Sequence, residues 1–219
     1  YPTLGTAYIL LQEVLQQPTE TLTLNLPVGQ IPVTVQADEN GDPLLWMQQN
    51  RPTFPEQFAI QELAEILSLT PEQIDSRFPI QAVSTGIPFI IVPLKDLPAV
   101  QQCKLKREQY FNWIQDKTVQ EILVFCPETY DPANQLNVRV FAEAIGIPED
   151  PATGSANGCL AAYLVQHRYF GQSTINIRVE QGYEINRPSL LYLNAQATAT
   201  EITIFVGGKV LLVARGEFV

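Results

Sequence analysis

Asp150, Gly154 and Ser155 are the residues whose types and spacing suit chemistry. They stand in Asp150-Pro151-Ala152-Thr153-Gly154-Ser155-Ala156. Pro151 drives Asp150 toward the extended backbone of an N-cap and itself suits a first helical position, so the run predicts a helix start capped by Asp150. Gly154 lets a ligand approach the backbone, and Thr153 and Ser155 place hydroxyls beside amides that no preceding turn satisfies. A small anion, a carboxylate above all, fits such a place. The plainer use of the same residues is the capping of a structural helix.

The pattern occurs twice. Pro2-Thr3-Leu4-Gly5-Thr6-Ala7 shares Pro-x-x-Gly-hydroxyl-Ala with the run at Pro151, and each copy continues into an apolar, leucine-rich stretch. Matching context on both sides points to a duplicated fold, with two helix starts that suit anions. Strand-like segments precede the second copy and nothing precedes the first, so the chain reads as truncated at its N-terminus.

The elements that must position these residues follow from periodicity. Pro2–Gln17 is apolar nearly all round and predicts a central, enclosed helix. Strands are predicted at Glu20–Leu26, Ile31–Ala37, Leu44–Gln48, Ile80–Ser84, Pro88–Val92, Ile122–Cys126 and Leu136–Ala142. Surface helices are predicted at Ala59–Leu67, from Pro71 with Thr70 as cap, and at Lys95–Val100 and Arg107–Asp116. A second enclosed helix spans Pro151–His167. Strands follow at Thr174–Glu180, Leu190–Ala197, Glu201–Val206 and Val210–Ala214, with Gly207-Gly208 as the turn between the last two. The class is α+β, and Pro93–Gln102 is the expected hinge.

Composition narrows the function. The 219 residues carry 13 Lys+Arg against 23 Asp+Glu, a formal charge of -10, which argues against nucleic acid or an anionic membrane as partner. No apolar run reaches the length of a membrane helix and no signal peptide is visible, so a soluble, cytoplasmic protein is expected. Cys103, Cys126 and Cys159 are widely spaced and odd in number, as free buried thiols are. One histidine, His167, leaves no His-rich metal centre; at the end of the second helix it suits a cation stabilised by the helix dipole. Cys159, five residues beyond Gly154, reads as packing.

The run Glu149–Gly158 (EDPATGSANG) resembles the signature of the PhzF-like family of phenazine biosynthesis, whose members share the diaminopimelate-epimerase fold. Pro2–Ala7, Ser84–Phe89 (STGIPF), Glu180–Ile185 (EQGYEI), Arg187-Pro188-Ser189 and Gly207–Val210 also look familial, so the resemblance covers the whole chain. It implies two pseudo-symmetric halves, each a β-barrel-like sheet wrapped around a central helix. The halves are expected at 1–93, completed by 207–219, and at 94–206. The resemblance further implies a homodimer, no metal and no organic cofactor, and proton transfer at carbon of a small carboxylate: an isomerase or epimerase.

Carried over by position, Asp150 is the hydrogen-bond and charge partner. Tyr1, Gly5, Thr6, Gly86, Gly154, Ser155, Gln181 and Gly182 are the expected substrate-binding residues. Tyr1 stands where the best-known member has a histidine, and a phenol supplies no imidazolium. The family's acid/base glutamate falls upstream of this helix. Glu149 and Glu143 are near in sequence, but the pattern does not say that they face the cleft. These 219 residues are therefore expected to be inactive alone. The alternatives are a binding protein that kept the cleft and lost the chemistry and, last, a structural dimerisation module.

Overall fold

The computed structural model describes residues 2–15, 20–26, 29–38 and 40–217. Its packing divides into two compact units: Tyr1–Gln48 with Gly207–Val219, and Gln49–Val206. The division falls after Gln48 rather than at residue 93 or in Pro93–Gln102, because the strands on either side of that stretch pair with one another.

In the first unit, α1 (Pro2–Ile9) runs into a wider π-helical stretch, Leu10–Leu15. Three strands follow, β1 (Thr21–Leu26), β2 (Gly29–Ala37) and β3 (Pro43–Gln48), paired antiparallel in sequence order. Leu4 and Ala7 of α1 pack on Leu24, Val33 and Leu45. Enclosure stops at that stripe: Ile9 is 39% and Val14 62% exposed, against the expectation of a helix covered on every side. Lys209 ties the C-terminal segment to the β2–β3 turn through Asp38 at 2.5 Å and Asp42 at 2.9 Å. Residues 209–217 form no regular structure, so the expected strand Val210–Ala214 is absent: its β-like pattern finds no ladder to join.

The second unit contains β4 (Gln57–Phe58), α2 (Ile60–Ile66), β5 (Ile80–Ser84), β6 (Pro88–Pro93), α3 (Leu97–Gln102) and α4 (Arg107–Trp113). It continues with β7 (Ile122–Cys126), β8 (Leu136–Ala142), β9 (Ile147–Asp150), α5 (Gly154–Gln166), β10 (Thr174–Gln181) and β11 (Ser189–Ala197). Ile202–Val206 of β12 (Ile202–Gly208) end it; Gly207-Gly208, which fall to the first unit, lie in this strand rather than in a turn. The strand order is β12-β11-β10-β8-β7-β6-β5-β4, with β9 added on β8.

Both faces of this sheet are buried, and alternation assigns them. Ile80, Ala82, Ile90, Val92, Ile122 and Val124 pack with α2, α3 and α4. The other face meets α5, which touches β5, β6, β10 and β11; there the Phe125 ring meets Tyr163 edge-on at 5.9 Å. Eleven of the thirteen residues of α5 are buried. This helix is the enclosed one that its apolar sequence demands, with the sheet curled about it as the fold expectation has it.

Candidate functional site

One edge of β8 assembles the site. β10 pairs parallel along Leu136–Val138, placing Gln181 opposite Val138. β9 pairs antiparallel just beyond, placing Asp150 opposite Val140. Two strands laid end to end on one neighbour thus bring together residues 31 positions apart, and the chain leaves β9 to enter α5 beside them.

The helix begins three residues later than its sequence suggests. Thr153, not Asp150, occupies the N-cap, with φ −112° and ψ 96°, and Pro151 lies before the helix rather than in its first turn. The physical reason is non-local. The fully buried Gln181 accepts from the Thr153 amide at 3.2 Å and donates to the Asp150 carbonyl at 2.6 Å, holding residues 150–153 extended. It also donates to Thr153 Oγ1 at 3.0 Å and accepts from Asn157 Nδ2 at 2.9 Å.

The Thr153 hydroxyl does not cap the helix. Its proton goes to Asp150 Oδ2 at 2.5 Å, in the range of a charge-assisted O–H···O⁻ bond. The amides of Gly154, Ser155 and Ala156, which open α5, have no turn before them to bond to. Their dipoles favour negative charge. Asn157 Nδ2 also donates to the Thr153 carbonyl at 2.9 Å, and its buried Oδ1 has no partner among the described residues.

Gly182 follows Gln181 with φ +83°. A Cβ there would lie 2.3 Å from the Arg187 carbonyl oxygen and 2.9 Å from that of Pro151, so only glycine closes this corner. Gly86 sits in the β5–β6 turn, where neighbouring Thr85 packs on Cys159 of α5 (Oγ1···Sγ 3.8 Å). The structure therefore brings Asp150, Gly154, Ser155, Gln181 and Gly182 to one corner and Gly86 to a turn on the same helix. Gln181 is spent on protein partners. Gly5 and Thr6 lie on α1 of the first unit, and Tyr1 falls outside the described residues.

Nearby carboxylates are engaged. Glu149 holds Arg139 with both oxygens, at 3.0 and 2.8 Å, and Glu143 pairs with Arg107 at 3.2 Å. The fully buried Glu180 accepts from the Tyr130 and Asp131 amides and Asn134 Nδ2, each at 2.8 Å. Glu184, just past Gly182, differs. Burial raises its carboxyl above the usual range, Tyr130 donates to Oε1 at 3.1 Å, and Oε2 has no partner among the described residues.

Sequence reasoning missed Asn157 and Glu184, though both lie inside the quoted runs, where the signal was adjacency to Gly154 and Gly182; it named the Thr153 hydroxyl but set it beside the helix amides rather than on Asp150. It also misjudged His167. Burial lowers that imidazole's pKa, which works against the dipole-stabilised cation expected there, and Nε2 meets Gln81 Oε1 at 2.7 Å. The three thiols are free and buried, as expected, and burial pushes Cys159 up to about 11.

A sheet packed about an enclosed helix is an arrangement found in other proteins. A probable proline racemase from Agrobacterium radiobacter shares it at 14% identity and TM-score 0.59, a likeness of fold alone. The chain belongs to the phenazine biosynthesis-like (PhzC-PhzF) family, whose model matches residues 1–216. A PhzF-family protein of Bacillus anthracis superposes with TM-score 0.82 at 29% identity, covering 94% of this chain and 71% of that one. The trans-2,3-dihydro-3-hydroxyanthranilate isomerase of Pseudomonas aeruginosa is 29% identical over 220 residues, 99% of this chain and 73% of the relative. An uncharacterised isomerase of Bacillus subtilis is 26% identical over 95% of this chain and 71% of its own length. The chain thus belongs with proteins named as isomerases and spans about seven-tenths of their length.

No helix among the described residues is long and apolar enough to cross a membrane.

Proposed function

We propose that this chain supplies the ligand-holding unit of a cofactor-independent isomerase or epimerase that moves a proton at a carbon of a small carboxylate. The substrate carboxylate sits on the Gly154, Ser155 and Ala156 amides, and Asp150 accepts from a substrate amine or hydroxyl. One observation carries the reading: the N-cap hydroxyl of Thr153 is turned to Asp150, which leaves the start of α5 open while Gln181 fixes its backbone. The named activity of the Pseudomonas relative supports it, since an anthranilate bears both a carboxylate and an amine.

Proton transfer at carbon needs a group that titrates near working pH. Glu149, Glu143 and Glu180 are tied to cations or amides. The proposal follows the family resemblance and assigns the acid/base role to a glutamate upstream of α1, so that the 219 residues alone do not turn over; Glu184, raised by burial and with Oε2 unpartnered among the described residues, is the alternative within the chain. The protein works in the cytoplasm as a homodimer.

The test is deuterium incorporation from D2O into trans-2,3-dihydro-3-hydroxyanthranilate and into small amino acids. The 219-residue chain and a product extended upstream would be compared. Exchange by the longer protein only is expected. Exchange by the 219 residues, abolished in E184Q, would move the acid/base role to Glu184; no exchange by either would favour a binding protein.

A further inference from the structure

Resting on that reading of the α5 start, we propose that Gln181 and Thr153 are a positioning pair for Asp150, and that through it they set the site's preference for carboxylates bearing a neighbouring donor. Gln181 is fully buried. Its side-chain orientation is fixed by four partners: Nε2 faces the Asp150 carbonyl and Thr153 Oγ1, and Oε1 faces the Thr153 amide and Asn157 Nδ2. Reversing the amide would set Oε1 against a carbonyl and Nε2 against two donors, so one orientation alone satisfies them all.

That orientation fixes a proton. The Thr153 hydroxyl has one to give, and because it already accepts from Gln181 Nε2 its hydrogen is aimed at Asp150 Oδ2. Asp150 is thereby held by one oxygen and keeps its second acceptor oxygen for a ligand. The same contacts turn the Thr153 hydroxyl off the helix amides, so one device frees the carboxylate end and orients the donor end. Asn157 belongs to it: fully buried, bonded to Gln181 and Thr153, it retains an acceptor, Oδ1, that no described residue satisfies. A buried acceptor without a donor at such a place is a ligand or ordered-water feature rather than a stability feature.

The test compares two probes on the 219-residue chain at low salt, following the amide resonances of Gly154, Ser155 and Ala156. Acetate offers a carboxylate alone; glycine adds an ammonium one carbon away. The wild-type chain should bind glycine about fivefold or more tighter than acetate, the scale of one charge-assisted hydrogen bond. Thr153→Val should lose that preference while keeping acetate affinity within about twofold, Thr153→Ser should restore it, and Asp150→Asn should match Thr153→Val. Gln181→Met should also lose it; if that variant fails to fold, Thr153→Val, which leaves the Gln181 contacts to the backbone in place, decides alone. A Thr153→Val chain that still prefers glycine overturns the positioning role and leaves the site standing. Failure of both probes to shift these amides in the wild-type chain overturns the site and the pair together.

Discussion

α1 and α5 open on the same six-residue pattern and end in different circumstances. In α5, Gly154 is the first helical residue, because Gln181 and Asp150 hold Thr153 extended. In α1 the helix already runs from Pro2, so Gly5 is its fourth residue. Burial covers eleven residues of α5, but only Leu4 and Ala7 of α1. The shared pattern specifies a turn of helix with a small residue near its start. What converts it into a site is the strand edge beside it, which one copy has among the described residues of its own unit.

The largest effect that tests this contrast is a pair of truncations. Leu164→Ala, in the enclosed helix, should cost about 4 kcal/mol, and Leu4→Ala, in the sparse cluster of the first unit, about 2 kcal/mol. Urea unfolding followed by a reporter in each unit measures both. Equal costs would mean that α1 is as enclosed as α5.

Gly182→Ala comes next, at about 3 kcal/mol, because the new methyl meets two backbone oxygens in a left-handed conformation. The same variant should displace Pro151 and weaken acetate binding at α5.

A smaller effect depends on pH. Burial depresses His167 below its ordinary 6.5, so the unfolded chain binds its proton first as pH falls. Its contribution is complete above about pH 6.5 and lost as pH drops through the folded value. His167→Gln should flatten that part of the stability–pH curve, read from chemical melts between pH 7.5 and 5.5.

The smallest is Gly5→Ala. A Cβ there meets nothing within 4 Å, so the change should be neutral or stabilising by up to about 1 kcal/mol through helix propensity. A clear loss would show that Gly5 faces something close.

Much of the fold was legible. β7 and β8 are short apolar runs between turn residues, and their predicted bounds match those observed. α5 was visible because Ala, Leu and Cys fill it on every side. β9 was not: Ile147-Pro148-Glu149-Asp150 contains a proline and two acids, and it forms only because β8 offers an edge beyond the end of β10. For the same reason Asp150 was mistaken for the cap. Locally Asp-Pro is a capping signal, and the glutamine that overrides it lies 31 residues away. The unit boundary was misplaced because β6 pairs with β7 across the expected hinge, a parallel contact that no local pattern announces.

The most direct test of the central claim is a crystal of this chain soaked in acetate. The account predicts planar density within about 2.9 Å of the amide nitrogens of Gly154, Ser155 or Ala156, with Asp150 still bonded to Thr153. A start of α5 closed over by the protein's own side chains, with acetate nowhere near it, would contradict it.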